Sequence, residues 1–262
     1  MVEKESSWLL PKNFKKMEDR EKADAQKGIL NEGLFTAYYL CRKNNDFNYA
    51  KSYCLSDDRA ASYIRNLGCF FEQINLKLQG KVLDVGCSVG TITNAIDNVN
   101  IGGQTSGLDF SEDAIAYAQK QYPNVKWYCQ SADNLNNFED SSIDFIHARE
   151  FYPLDRTNDH EYHLQYLKTF HTKLKSGGVL ILNLRNLKKC FSNTYKKLTN
   201  DLADLDYQPV VRKQVVRHAF FKVFGEQAYK WKLLNVILTV ITTVYSRLTK
   251  MKASYFYIYI KN

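Results

Sequence analysis

Apolar positions recur along this chain with two different periods, and the change between them falls near residue 80. Upstream, aromatic and apolar residues between 33 and 79 recur at helical spacing, as at Tyr63, Leu67, Phe70, Phe71 and Ile74, which predicts helices. Residues 1–79 are therefore expected to form an N-terminal helical cap that covers an active site. Within them, residues 12–27 (KNFKKMEDREKADAQK) are dominated by charge and predict an exposed helix or a mobile arm.

Downstream, short apolar runs alternate with helical stretches. Strands are predicted at Lys81–Val85, Gln104–Asp109, Val125–Cys129, Ser142–Ala148 and Val179–Leu184. A helix starts near Thr91. A second runs from its cap Ser111 to Tyr122, with Glu112 and Asp113 in its first turn. A third spans His160–Leu174 and is ended by the pair Gly177-Gly178. Two more strands are expected at Val210–Val216 and Ser254–Ile260. This pace predicts an α/β fold, a Rossmann-like, seven-stranded, mostly parallel sheet with helices on both faces. Such sheets bind ligands beyond the C-terminal ends of their strands, where strand order reverses.

Between the last two strands, Leu233, Leu234, Ile237, Leu238, Ile241, Val244, Tyr245 and Leu248 line one side of a helix, and Asn235, Thr239, Thr242 and Ser246 the other. Its 16 residues fall short of the roughly 20 apolar residues a membrane span needs. The stripe is expected to pack on the protein's own core or on a second subunit. The alternative is an amphipathic helix lying on a membrane surface. The domain expectation is thus the cap over 1–79 and one domain over 80–262. That domain has a core at 80–185, a strand with a helical, acceptor-side insertion at 186–253, and a last strand at 254–262.

Composition narrows the class. With 262 residues, 45% hydrophobic and 14% aromatic, the chain is not of a disordered type. Its six cysteines (Cys41, Cys54, Cys69, Cys87, Cys129, Cys190) are scattered without a CxxC pair, which fits reduced thiols in a cytosol. The N-terminus lacks the apolar core of a secretory signal, so a cytoplasmic location is expected. The net charge of +8 is unevenly spread: from Arg185 onward there are 15 Lys+Arg against 4 Asp+Glu, while residues 1–184 carry a net −3. A basic C-terminal region can attract an acidic substrate, a nucleic acid or an anionic membrane face.

The chemistry concentrates around VLDVGCSVGTIT, Val82 to Thr93. Gly86-Cys87-Ser88-Val89-Gly90 reads GxSxG, without the third glycine of a dinucleotide site. Further on come GLDFSEDAIAYAQ, SADNL, SSIDFIHA and LKSGGVLIL. In that order these motifs resemble the class I S-adenosylmethionine-dependent methyltransferases, across about residues 80–185 and closest to the group acting on small molecules, lipids and glycans. The family's usual middle glycine of the first motif is Ser88 here.

The resemblance implies S-adenosyl-L-methionine as cofactor and S-adenosyl-L-homocysteine as product. It assigns the cofactor to Asp84, Gly86, Ser88, Gly90, Asp109, Phe110, Ala132, Asp133, Asn134 and His147. Gly86 and Gly90 would let the backbone approach the methionine portion, and Asp84 would meet its ammonium through backbone or water. Asp109, 23 residues beyond Gly86, would accept from both ribose hydroxyls. Phe110 would pack on adenine, and Asp133 would accept from its amine, with Ala132 supplying backbone contact.

At the mouth of the pocket, His147, Glu150 and Tyr152 are the catalytic candidates. His147 comes first because its unperturbed pKa suits proton transfer near neutrality, and Arg149 or Glu150 is placed to orient substrate. The run Asp159-His160-Glu161-Tyr162-His163 lacks a third ligand at a metal spacing, so no metal is expected. His171 is expected to pack against the sheet.

The expected function is methyl transfer to oxygen or nitrogen of a small-molecule or glycan acceptor, with acidic or lipid-linked acceptors included. The basic C-terminal region leaves a peripheral membrane-surface contact open. Two alternatives remain, an RNA methyltransferase using that region and a non-catalytic cofactor-binding subunit. Against the first, Arg149-Glu150-Phe151-Tyr152-Pro153 lacks the paired prolines of base-amino methyltransferases, and no RNA-binding module flanks the core.

Overall fold

The computed structural model describes residues 55–156, 160–185, 192–215, 220, 223–225, 227–248 and 254–262. Most of the expected N-terminal cap, the cysteines at 41, 54 and 190, Asp159, Arg217, His218 and Lys222 lie outside the described residues. In chain order the elements are α1 (Asp57–Gln73), β1 (Lys81–Val85), α2 (Thr91–Asp97), β2 (Gln104–Asp109), α3 (Glu112–Gln121) and β3 (Lys126–Cys129). They continue with β4 (Ile143–Arg149), α4 (Tyr152–Arg156), α5 (His160–Lys173), β5 (Leu174–Arg185) and α6 (Ser192–Asp204). The chain closes with β6 (Tyr207–Gln214), α7 (Gln227–Lys230), α8 (Lys232–Leu248) and β7 (Ser254–Lys261).

One seven-stranded sheet has the order β3-β2-β1-β4-β5-β7-β6. The first five strands are parallel, β7 runs antiparallel to β5, and β6 antiparallel to β7. Strand order reverses between β1 and β4, which locates the ligand crevice beyond their C-terminal ends. Strands covered on both faces need apolar residues on both, and β1 and β5 carry them. Leu83, Val85, Leu180 and Leu182 pack with Tyr166 and Phe170 of α5 on one face. Val82, Phe145, Ile181, Phe256 and Ile258 pack with α1 on the other.

Helix α1 supplies that second face through Ala60, Tyr63, Ile64, Leu67, Phe70 and Phe71, all buried, at the spacing that keeps them on one side. Ser111 caps α3 as expected, its hydroxyl accepting from Ala114 N–H at 3.4 Å. β6 is an edge strand, which is why Pro209 is tolerated there; the register shifts between Pro209 and Val211.

Two local expectations change. β5 begins at Leu174 and not at Val179. The pair Gly177-Gly178 lies inside the strand, where its register with β4 shifts between Ile143 and Phe145 and Gly177 takes φ +74°. The glycines therefore make an irregularity in the strand, and α5 ends before them at Lys173. Among the described side chains of α8, Leu238 and Thr242 are buried and Leu234 packs on the core, whereas Leu233, Val236, Ile237, Val240, Ile241, Val244 and Tyr245 are exposed. The expected packing of the whole stripe on the protein's own core is corrected accordingly. Periodicity defines a stripe but cannot say which neighbour is wide enough to cover it.

Candidate functional site

The turn after β1 runs through the left-handed region at Gly86 (φ +68°), Ser88 (+55°) and Gly90 (+80°). It hangs on the end of β2. Leu108 C=O accepts from Gly86 N–H at 2.8 Å and Cys87 N–H at 3.0 Å. The Asp109 carboxylate accepts from Ser88 N–H at 2.9 Å through Oδ2 and from Ser111 N–H at 3.0 Å through Oδ1. Ser88 takes a conformation unfavourable for a residue with Cβ, and Asp109 holds its N–H there. A carboxylate oxygen has two lone pairs, so an acid that accepts from backbone N–H groups is of a type that can accept from ribose hydroxyls as well.

The glycines do more than admit a ligand. A Cβ on Gly90 would overlap the Trp127 ring and come within 3.0 Å of Ala118, and one on Gly107 would also overlap Trp127. Trp127 thus fills the space of two missing side chains, while its Nε1–H donates to Tyr122 C=O at 3.0 Å. A Cβ on Gly86 would meet the Phe151 ring at 3.0 Å. Gly90→Ala is therefore expected to destabilise the fold by about 2–3 kcal/mol, from the left-handed conformation and the displaced indole together. Urea unfolding followed by tryptophan fluorescence measures it, and a loss below about 0.5 kcal/mol would show that the ring yields freely.

Asp84 and His147 are paired in register across β1 and β4 and face α1. His147 Nδ1 lies 2.7 Å from Asp84 Oδ1, and Thr93 Oγ1 donates to Asp84 Oδ2 at 2.6 Å. On its far side His147 Nε2 is 2.8 Å from the Tyr63 hydroxyl. Burial pushes the Tyr63 phenol well above its ordinary pKa, against a lowering pull from Arg149. Tyr63 therefore stays protonated, and one unbroken line of close polar contacts runs from Tyr63 through His147 and Asp84 to Thr93.

All four side chains are buried, His147 completely. Two placements therefore differ from expectation. His147 is covered by Tyr63 instead of standing at the pocket mouth, and the Asp84 carboxylate is turned inward to His147 and Thr93. The physical reason is that Phe145, His147 and Arg149 alternate onto the face that α1 covers. Burial, with Asp109 and Asp84 near, also raises the Cys87 thiol, which keeps it protonated.

At the end of β4 the chemistry reaches the surface. Glu150 takes φ +47°, and its N–H donates to Asn183 C=O at 2.7 Å. Its carboxylate lies 2.6 Å from the Arg149 guanidinium, which is itself 5.6 Å from the centre of the Tyr63 ring. Tyr152 opens α4, and its side chain lies outside the described ones.

Phe110 is half-buried between β2 and α3, and Ala132 is buried. Asp133 and Asn134 are exposed on an open groove of about 790 Å³, which Gln130, Gln165 and Thr169 also line. The structure thus groups Gly86, Ser88, Gly90 and Asp109 tightly, with Phe110 adjoining them. Glu150 stands at the end of β4, and Asp133 and Asn134 lie on the groove beyond β3.

Sequence reasoning missed Tyr63, Thr93, Trp127 and Phe151 as parts of this region. Tyr63 and Thr93 had one signal, a hydroxyl at a helical position that the pattern assigns to the core. Elsewhere, His160 Nδ1 lies 3.1 Å from Asp201 and links α5 to α6, and His163 is buried. The His171 ring meets Tyr207 edge-on at 5.3 Å.

Acids stand at the C-terminal ends of the strands, Asp109 closing β2 and Glu150 following β4 beside Arg149. That donor set suits a cationic nucleoside with hydroxyls and an amine to donate, and would repel a phosphate. S-Adenosyl-L-methionine, a sulfonium with an α-amino group, fits it.

Residues 76–235 match a family model described as a methyltransferase domain. Protein 235L of Invertebrate iridescent virus 6, a methyltransferase by name, is 32% identical over 94 residues, which cover 36% of this chain and 30% of the viral protein. The demethylmenaquinone methyltransferase of Chlorobaculum parvum is 25% identical over 178 residues, 61% of this chain and 69% of that one. Among solved structures, the [4+2]-cyclase SpnF superposes with a TM-score of 0.52 at 15% identity, covering 76% of this chain and 81% of that one. Geranyl diphosphate C-methyltransferase from Streptomyces coelicolor gives 0.50 at 10% identity, with 75% and 76% covered. At these identities the two structures establish a shared fold.

Proposed function

The chain belongs to the family of methyltransferase domains, and from that premise we propose that it moves a methyl group from S-adenosyl-L-methionine to oxygen or nitrogen of a small-molecule or glycan acceptor. Acidic and lipid-linked acceptors fall within this reading. The observation that carries it is Asp109, buried at the end of β2 and holding both the turn after β1 and the start of α3. When bound, the sulfonium cofactor supplies a methyl already activated for in-line displacement.

The chain's own residues then have three tasks. Asp109 fixes the ribose, and with it the distance of the reactive end from β4. Asp84, His147, Thr93 and Tyr63 hold α1 against the sheet, so the wall above the crevice is rigid. Glu150, clamped by Arg149, presents a carboxylate at the strand end where an acceptor arrives; it orients the acceptor's O–H or N–H and takes its proton as the bond forms.

The acceptor is identified by incubating the protein with methyl-labelled cofactor and an extract of its source cell, then separating small molecules and lipids from polymers. Label in the aqueous or organic small-molecule fraction supports the proposal, and label in nuclease-sensitive polymer overturns it in favour of RNA. With the acceptor so identified, Glu150→Gln is expected to lower kcat about a hundredfold and leave affinity for S-adenosylhomocysteine unchanged. An unchanged kcat would remove Glu150 from the reaction.

A further inference from the structure

Of the twelve large apolar side chains exposed among the described residues, ten lie between Val223 and Tyr245. Most form one stripe on α8, with Leu233 at 74% and Trp231, just before the helix, at 61% exposure. The inner side of this helix is the more polar one. Thr242 is buried, and Asn235, partly buried, donates to Ala228 C=O at 3.0 Å. A helix that turns its apolar side outward has a partner of low polarity.

Charge says which partner. Residues 209–253 carry nine Lys and Arg against one acid, Glu226. Their net +8 equals that of the whole chain. Lys230 and Lys232 stand at one end of α8 and Arg247 at the other, with no acid between them in sequence. A second copy would bring the same excess of positive charge against itself, whereas an anionic lipid surface complements it. The stripe is also bounded by Trp231 and Tyr245, the residue types that favour the headgroup level.

Geometry adds a direction. Gln214 pairs with Tyr255, and Arg185 with Ser254, so the chain leaves β6 and re-enters β7 at the C-terminal ends of the parallel strands. That is the edge bearing Asp109 and Glu150. No described helix is long and apolar enough to cross a membrane. α8, about 26 Å long, is moreover held at its middle by the buried Leu238 and Thr242.

We propose that α8 is an interfacial helix that lays the Trp231–Tyr245 stripe on an anionic lipid surface and brings the crevice edge down to it. An acceptor would then be drawn from the headgroup region. The docking itself does not depend on the methyl-transfer reading.

The test is flotation of the full chain with vesicles of phosphatidylglycerol and phosphatidylcholine, and with vesicles of phosphatidylcholine alone. The protein is expected to float with the anionic vesicles, to stay behind with the neutral ones, and to be released as salt is raised. The double variant Ile237→Gln/Val240→Gln, at two exposed positions, should lose vesicle affinity by about tenfold or more. Its Tm and its calorimetric affinity for S-adenosylhomocysteine should not change, which separates this result from misfolding and from failure of the donor site. No flotation with anionic vesicles at low salt overturns the proposal. A stable dimer that the same double variant converts to monomer also overturns it, because the stripe would then belong to a second copy.

Discussion

Asp109→Ala is expected to raise the dissociation constant for S-adenosylhomocysteine by roughly two orders of magnitude or more. On the proposed role of Asp109, two hydrogen bonds from ribose hydroxyls to a carboxylate would be lost, each worth roughly 1.5–3 kcal/mol. The same carboxylate holds Ser88 N–H and Ser111 N–H, so its removal also frees the one non-glycine residue held left-handed in the turn. Asp109→Asn separates these effects. It keeps the volume and one acceptor oxygen, but sets an amide NH2 against one of the two backbone donors. Calorimetry gives the affinity and urea unfolding the stability of each variant. Unchanged affinity in a folded Asp109→Ala protein would make the acid a support of the turn alone and would remove it from the ligand.

Asp84→Ala is expected to cost about 3–6 kcal/mol of folding stability, since it removes two buried hydrogen bonds to a carboxylate, each worth roughly 1.5–3 kcal/mol. It strands His147 Nδ1 and the Thr93 O–H inside the protein. Tyr63→Phe removes only the outermost bond of the same chain and should cost about 1 kcal/mol. The contrast is the informative quantity, read from chemical unfolding of both variants. A cost below about 1 kcal/mol for Asp84→Ala would mean that the four side chains are not coupled. A large loss of cofactor affinity in Tyr63→Phe, with stability kept, would place that hydroxyl on the ligand.

Much of the architecture was legible because buried parallel strands leave little choice of residue. Lys81–Val85 and Gln104–Asp109 coincide with the observed strands, and Ser111 marked its helix by capping chemistry. The acid at the end of β2 was legible for a related reason, since the strand end, the turn and the helix start are consecutive in the chain.

What escaped depends on neighbours distant in sequence. His147 looked accessible because a strand end is normally open. Only the packing of α1, 84 residues away at Tyr63, closes over it. Trp127 gave no local sign that it fills the places of Gly90 and Gly107. The α8 stripe was visible as a period, but its exposure depends on how much of the sheet face remains after α1 has covered its share.

The neck of the excursion between β6 and β7 has a consequence of another kind. Val215 N–H donates to Ser254 C=O at 2.9 Å, so the two ends of a segment of about forty residues are stapled together where they leave the sheet. Loop-closure entropy grows only slowly with length, and here the ends are already joined by a rung of the ladder. The segment is therefore a cassette. Its length and its exposed residues can change over generations, or in the hands of an engineer, while Ala228 and Leu238, buried against the core, keep their places.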